Sequence, residues 1–101
     1  MSKELWYSLG IKEQLSNIHG EVVRMIRARS NYRMGKSSQD YTNDHMKKIH
    51  DLIEMTNSDP KNHKRSEELL DEEGELLRWI DGEVDDRYIL GYWEQYTNAI
   101  S

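Results

Sequence analysis

Residues 66–86 read SEELLDEEGELLRWIDGEVDD. Ten of these 21 side chains are carboxylates (Glu67, Glu68, Asp71, Glu72, Glu73, Glu75, Asp81, Glu83, Asp85 and Asp86), against one base, Arg78. Three outcomes suit such a run. Carboxylates at i and i+3 of a helix can hold Mg²⁺, a hard cation that takes oxygen ligands and keeps several waters; here Glu72 with Glu75 and Glu83 with Asp86 form the two pairs. A continuous acid face can instead steer and select a basic macromolecule. The third outcome is the wet side of an amphipathic helix, which needs no partner at all.

The order of the two pairs, E-x-x-E and then E-x-x-D, resembles the metal-binding carboxylates of MazG-type nucleotide pyrophosphohydrolases, an all-α family. The resemblance spans about 15 residues, with a shorter connection between the pairs than that family carries. It implies a Mg²⁺-dependent nucleotide hydrolase with Glu72, Glu75, Glu83 and Asp86 as ligands. Helical geometry points elsewhere. At about 100° per residue all four fall beside or behind the stripe of Leu69, Leu76 and Ile80, whereas metal ligands in a bundle project into the core. The run therefore reads first as a partner-binding surface of Asp71, Glu72, Glu75, Glu83 and Asp86, with no metal, cofactor or catalytic residue called for. Trp79 and Trp93 lie off their helices' main stripes, as does Trp6, and an aromatic outside the core suits an interface anchor.

Two charges break the pattern. Glu73 projects into the apolar stripe between Leu69, Leu76 and Ile80, and Arg29 occupies a stripe position between Met25 and Tyr32. A charge on a core face costs several kcal/mol unless paired or able to reach water. An Arg29–Glu73 pair would satisfy both.

Residues 24–36, RMIRARSNYRMGK, carry Arg24, Arg27, Arg29, Arg33 and Lys36 and no acid. Arginine forks beside Tyr32 could bind the phosphates of a small nucleotide or second messenger, with Arg24, Arg27, Arg29 and Arg33 as the candidates. No Gly-rich phosphate loop accompanies them, and the net charge of −5 opposes duplex nucleic acid. Pairing with residues 66–86, within or between chains, is the simpler fate of these arginines. The histidines make no His-x₃-His pair, because His45 and His50 are five apart, and His19 has no His or carboxylate four residues away. His45 on an apolar face is either a neutral boundary residue or a pH-sensitive contact. No Ser–His or Ser–Lys spacing supports covalent catalysis.

These groups must be carried by helices. In the first half Ile11, Leu15, Ile18, Val22, Met25, Arg29 and Tyr32 recur in steps of four and three, one stripe on a long helix over about 3–33. Ser2 is its N-cap and Gly35 its stop, and a break at Gly10 would detach residues 3–9. A second helix fits 38–56, capped by Ser37 or Ser38, with Tyr41, His45, Ile49, Leu52, Ile53 and Thr56 on one face. Asp59–Pro60 starts a third over 60–81, Asp as N-cap and Pro at the first position, with Leu69, Leu70, Leu76, Leu77 and Ile80 clustered as its apolar side. Asp81–Gly82 ends it, and 83–99 forms a fourth with Val84, Tyr88, Tyr92, Tyr96 and Ala99 inward. The alternative is one unbroken helix of about 40 residues through Gly82.

The sum is a single all-α domain over 1–101, an antiparallel bundle of three to four helices. Only 36% of residues are apolar and Phe is absent, yet three Trp and six Tyr supply buriable surface. So lean a core favours self-association into a homo-oligomer. There is no cysteine, no secretory h-region in MSKELWYSLG, and no apolar run near the roughly 18 residues of a membrane span, so cytoplasmic residence is expected. The expected function is non-enzymatic binding of a protein partner. In size, acid face and off-stripe tryptophans the chain is similar to small accessory proteins of phages and mobile elements.

Overall fold

The computed structural model describes residues 2–100, and every regular element among them is helical. Helices α1 (Lys3–Ser8), α2 (Ile11–Arg33), α3 (Thr42–Ser58), α4 (Ser66–Ile80) and α5 (Asp86–Ile100) follow in order, and a 3₁₀ segment, Pro60–Arg65, leads into α4. Helices α2 and α3 form the central pair, α5 lies along α2, and α4 packs against α3 and α5. This is the all-α bundle that the periodicity demands. No helix among the described residues is long and apolar enough to cross a membrane.

The expected helix over 3–33 is two helices. Ser2 caps α1 by accepting from the Leu5 amide at 3.3 Å, but Leu9 and Gly10 are extended and turn the chain before α2. Gly20 stays within an unbroken helix. Two glycines end helices as foreseen. Gly35 (φ +76°) and Gly82 (φ +82°) occupy the left-handed region that lacks a penalty only for glycine. Each closes a double bond pattern: Lys36 N–H to Asn31 O and Gly35 N–H to Tyr32 O, then Glu83 N–H to Arg78 O and Gly82 N–H to Trp79 O. The break at Gly82 excludes the single long C-terminal helix. Helix α3 starts later than expected, because the Ser37 hydroxyl donates to Gln39 O instead of capping. Asp40 accepts from the Thr42 amide (3.0 Å) and hydroxyl, and so sets the turn before α3. Asp59 caps as expected, yet the segment it opens is 3₁₀.

The largest correction concerns the tryptophans. Trp6, Trp79 and Trp93 are all buried, alongside Leu15, Ile18, Val22, Met25, Ile49, Ile53, Leu69, Leu76 and Ile89. In a chain without Phe they supply bulk that the aliphatic residues cannot, so none is a free surface anchor. Helix α4 buries Leu69, Glu72, Leu76 and Trp79, a stripe rotated from the expected Leu69, Glu73, Leu76 and Ile80. Helix α5 rotates likewise. It buries Ile89 and Trp93, while Tyr88 and Ala99 face solvent and Tyr92 and Tyr96 are half-buried. In both helices the indole outcompetes smaller or hydroxyl-bearing neighbours for the core face.

A buried polar knot ties the breaks together. The Trp6 indole donates to Thr56 Oγ1 (2.9 Å), whose own hydroxyl donates to Leu52 O (2.8 Å). Gln14 Nε2 donates to Trp6 O (2.9 Å) and to Asp59 Oδ2 (3.1 Å), and Asn62 Nδ2 donates to Gln14 Oε1 (2.7 Å) and Thr56 O (3.1 Å). Lys61 bridges Asp59 to Tyr7 O (2.7 Å). Burial alone would raise the Asp59 pKa, but the bonds from Lys61 and Gln14 outweigh it and hold the carboxyl below its ordinary value. The Thr56→Val and Trp6→Phe substitutions should each destabilise by about 1–3 kcal/mol, the first by stranding the indole N–H. Urea denaturation of the double variant should cost less than the sum, since both remove the same bond. Additive losses would mean that the bond carries nothing.

Candidate functional site

Helix α4 carries the chemistry, and its periodicity sorts the acidic run into four groups. Facing the interior is Glu72, only 6% exposed, with Oε2 buried and without a hydrogen-bond partner. Toward α5 lie Glu68, Asp71 and Glu75; Glu75 accepts from Arg78 (3.0 Å) and from the Tyr88 hydroxyl (3.2 Å). Glu73 is turned toward α3. Past the end of the helix, Glu83 is exposed, while Asp86 accepts from the Trp79 indole at 2.7 Å.

The expected Arg29–Glu73 pair does not form within the chain. Glu73 Oε2 binds His50 Nδ1 at 2.7 Å, and His50 Nε2 reaches Glu54 at 3.0 Å. Arg29 lies over the Trp79 ring, 4.2 Å from its centroid, and donates to Trp79 O (3.3 Å) and Ile80 O (3.4 Å). Those are the last carbonyls of α4, the negative end of its dipole. Both charges left the apolar stripe for a partner, as their cost requires, but each found a different one.

Nor do the other expected constellations assemble. Glu72, Glu75, Glu83 and Asp86 point to four different surroundings, and among the described residues no three His, Asp or Glu side chains are grouped to hold a metal ion. The four arginines also diverge. Arg24 pairs with Glu21 (2.7 Å), Arg27 is exposed, and only Arg29 and Arg33 share a cavity. That cavity, about 740 Å³, also holds Arg87, Glu83, Asp85 and Asp86, so its charges offset one another. His45 stands 3.4 Å from Glu21, which Lys48 also contacts at 3.2 Å. Burial would raise the Glu21 pKa, but the bonds from Lys48 and His45 hold it below the ordinary value.

Two features escaped the sequence reading. Rotation of α4 leaves Leu70 57% and Leu77 50% exposed, one above the other, with Gly74 between them. A Cβ on Gly74 would meet nothing within 4 Å. The seven-residue spacing of the leucines fits a core stripe and an exposed strip equally well, and only the rotation of α4 decides between them. The second feature is an open cleft of about 330 Å³ between α4 and α5, lined by Glu68, Asp71, Glu72, Tyr92 and Tyr96 with Arg65 at its mouth. No protein-family model, curated protein or solved structure matches the chain at a significant level.

Two groups bind protons more tightly in the folded chain. Burial, then the neighbouring Glu75, Asp71 and Glu68, push the Glu72 carboxyl up from 4.5 to about 8. Glu73 raises His50 above 6.5, with Glu54 adding to the effect. The Glu72 contribution to stability is complete below 4.5 and is lost as pH rises toward about 8. The His50 contribution is complete below 6.5 and lost as pH rises through its higher folded value. Melting temperature should therefore fall from pH 5 to pH 8, with a stability change on the order of a few kcal/mol. Glu72→Gln should flatten most of that slope, and His50→Gln only its upper part. A slope unchanged in Glu72→Gln would refute the assignment.

Proposed function

We propose that this protein acts without catalysis, by binding another protein chain along the outer face of α4. One observation carries the reading: Leu70 and Leu77 are exposed on one strip of α4, and a Cβ on Gly74 between them would meet nothing within 4 Å. Glycine inside a helix costs about 1 kcal/mol against alanine, and the open space over Gly74 removes any internal reason for it. Between two exposed leucines, a residue with no side chain lets a partner's backbone come close. An amphipathic helix laid across the strip would bury the leucines on both sides of its own backbone.

The rim selects the partner's charge. Glu67, Asp71 and Asp81 are exposed around the strip, and Glu75 is half-buried beside it. Apolar centre and charged rim are the ordinary anatomy of a protein interface, with the rim setting specificity and association rate. Of the side chains first expected to meet a partner, Asp71, Glu83 and Asp86 are exposed and Glu75 is half-buried, whereas Glu72, Trp79 and Trp93 are inside.

A second reading, self-association, rests on another patch of the surface. Tyr32, Met34 and Tyr41 are exposed there beside Arg27, Arg33 and Lys36. The arginines make no ion pair with residues 66–86 within the chain: Arg24 is held by Glu21 and Arg29 by main-chain carbonyls. A basic apolar patch and an acidic apolar strip on one molecule suit head-to-tail contact between copies, which closes into a ring or runs on as a filament.

Replacing Leu70 and Leu77 together by Lys tests both readings. Melting should be nearly unchanged, because surface substitutions fall within about 0.5 kcal/mol. Tagged wild-type protein should retain a basic protein from the lysate of its source cell that the double variant loses. Capture should weaken as salt passes about 0.3 M, where screening shortens to several ångströms. Retention at wild-type strength by the variant would overturn the docking face. Light scattering addresses the second reading: at micromolar concentration the wild type should exceed twice 12.1 kDa and the variant should not. A monomeric wild type would remove self-association and leave the first reading in place.

A further inference from the structure

We propose that the cleft between α4 and α5 is a binding site for an organic cation, an alkylammonium or alkylguanidinium group whose charge sits on Glu72. The proposal goes beyond the docking strip, which lies on the opposite side of α4 and shares neither Glu72 nor the tyrosines. Its first support is an unmet need. Glu72 lines the cleft, is almost wholly buried, and leaves Oε2 without a partner. A buried acceptor left unpaired carries its desolvation penalty in full. In the polar knot around Trp6, Gln14, Thr56, Asp59 and Asn62 are buried to the same degree and every one is bonded. Among the described residues Asn57 Oδ1, Trp93 Nε1 and the Tyr96 hydroxyl are also buried without a partner, and Tyr96 lines the same cleft as Glu72.

The lining chooses the class of ligand. Around Glu72 stand two more carboxylates, Glu68 and Asp71, so the field favours positive charge. The opposite wall is Tyr92 and Tyr96 with Ala99 and Ile100, ring and aliphatic carbon that carries two phenol hydroxyls. A divalent metal needs several converging oxygens, and no such group is present among the described residues. An alkyl cation meets both walls at once: its head reaches the carboxylate and its methylenes lie against the rings. Arg65 already shows the chemistry at the mouth, where its guanidinium stands 3.6 Å from Glu68.

Proton linkage follows from the neighbours. The charged and titratable groups around Glu72 are Glu68, Asp71 and Glu75 on its own helix, Arg65 at the start of that helix, and Tyr92 and Tyr96 on α5. Without a ligand, the carboxyl holds its proton to about pH 8. A cation seated on Oε2 favours the carboxylate, so binding at neutral pH expels that proton and affinity rises with pH up to the same point.

The test is calorimetry of the intact chain with n-butylammonium and n-butylguanidinium chloride at pH 7, repeated in two buffers of different ionisation enthalpy. Saturable binding should release up to one proton per site and tighten from pH 6 to pH 8. Glu72→Gln should weaken it by about tenfold or more, the scale of one charge-assisted bond. Leu70→Lys/Leu77→Lys should bind as the wild type does, which separates this site from the docking strip. The amides of N-acetyl-lysine and N-acetyl-arginine form the second arm. Binding equal to that of the free cations identifies a partner's side chain as an acceptable source; exclusion of the amides assigns the cleft to free amines. Equal affinity in Glu72→Gln, or equal binding of neutral n-pentanol, would overturn the proposal.

Discussion

The Trp6–Thr56 hydrogen bond and the amides around it are the joint on which the bundle is built. Helix α1 has only six residues, too few to be stable alone. It is held by its indole, which points into the core and donates to α3, and by its Trp6 carbonyl, which accepts from Gln14 on α2. The same Gln14 reaches Asp59 and Asn62, so one side chain connects the turn before α2, the end of α3 and the 3₁₀ segment that leads to α4. Remove that connection and the direction in which α4 leaves α3 is no longer set. The faces of α4 described above depend on that direction.

The bonded knot around Trp6 contrasts with the buried Glu72 carboxyl, whose Oε2 has no partner. Buried polar groups satisfied together rigidify a fold, whereas a single unsatisfied one marks strain or a missing contact. The His50–Glu73 and Glu21–Lys48 contacts occupy neither extreme. They lie at the edges of helix pairs, partly wet, and they orient α3 against α4 and α2 without filling the core.

Helix existence was legible from apolar periodicity, and so were its punctuation marks at Ser2, Gly35, Asp59–Pro60 and Gly82, because each has a local cause. The N-terminal stripe of Leu15, Ile18, Val22 and Met25 is buried as its spacing requires. Rotational phase was not legible in α4 and α5. Two candidate stripes differ there by one residue, and the choice is a tertiary fact: in α4 Trp79 faces inward and donates its N–H to Asp86, seven residues later and across the Gly82 turn, and in α5 Trp93 is buried for its bulk alone, its N–H without an acceptor. The same shift moved Glu72 from the expected surface to the interior and Leu70 and Leu77 from the expected core to the surface. Arg29 and Glu73 were correctly singled out as charges in need of partners. Their partners, two main-chain carbonyls and a histidine, carry no charge signature that a search for opposite signs would find.

Arg29 grips α4 by its backbone, and that has an evolutionary consequence. A guanidinium that recognises carbonyl oxygens is indifferent to the side chains attached to them, so Ile80 can drift to other residues without loosening the joint between α2 and α4. The constraint transfers to the partner of the stack: Trp79 must stay aromatic to lie under the guanidinium, and Arg29 must stay arginine, since lysine has neither the plane nor the fork. Divergent copies of this chain would then keep the pair at 29 and 79 while the turn that follows changes in composition and length without disturbing the frame that carries it.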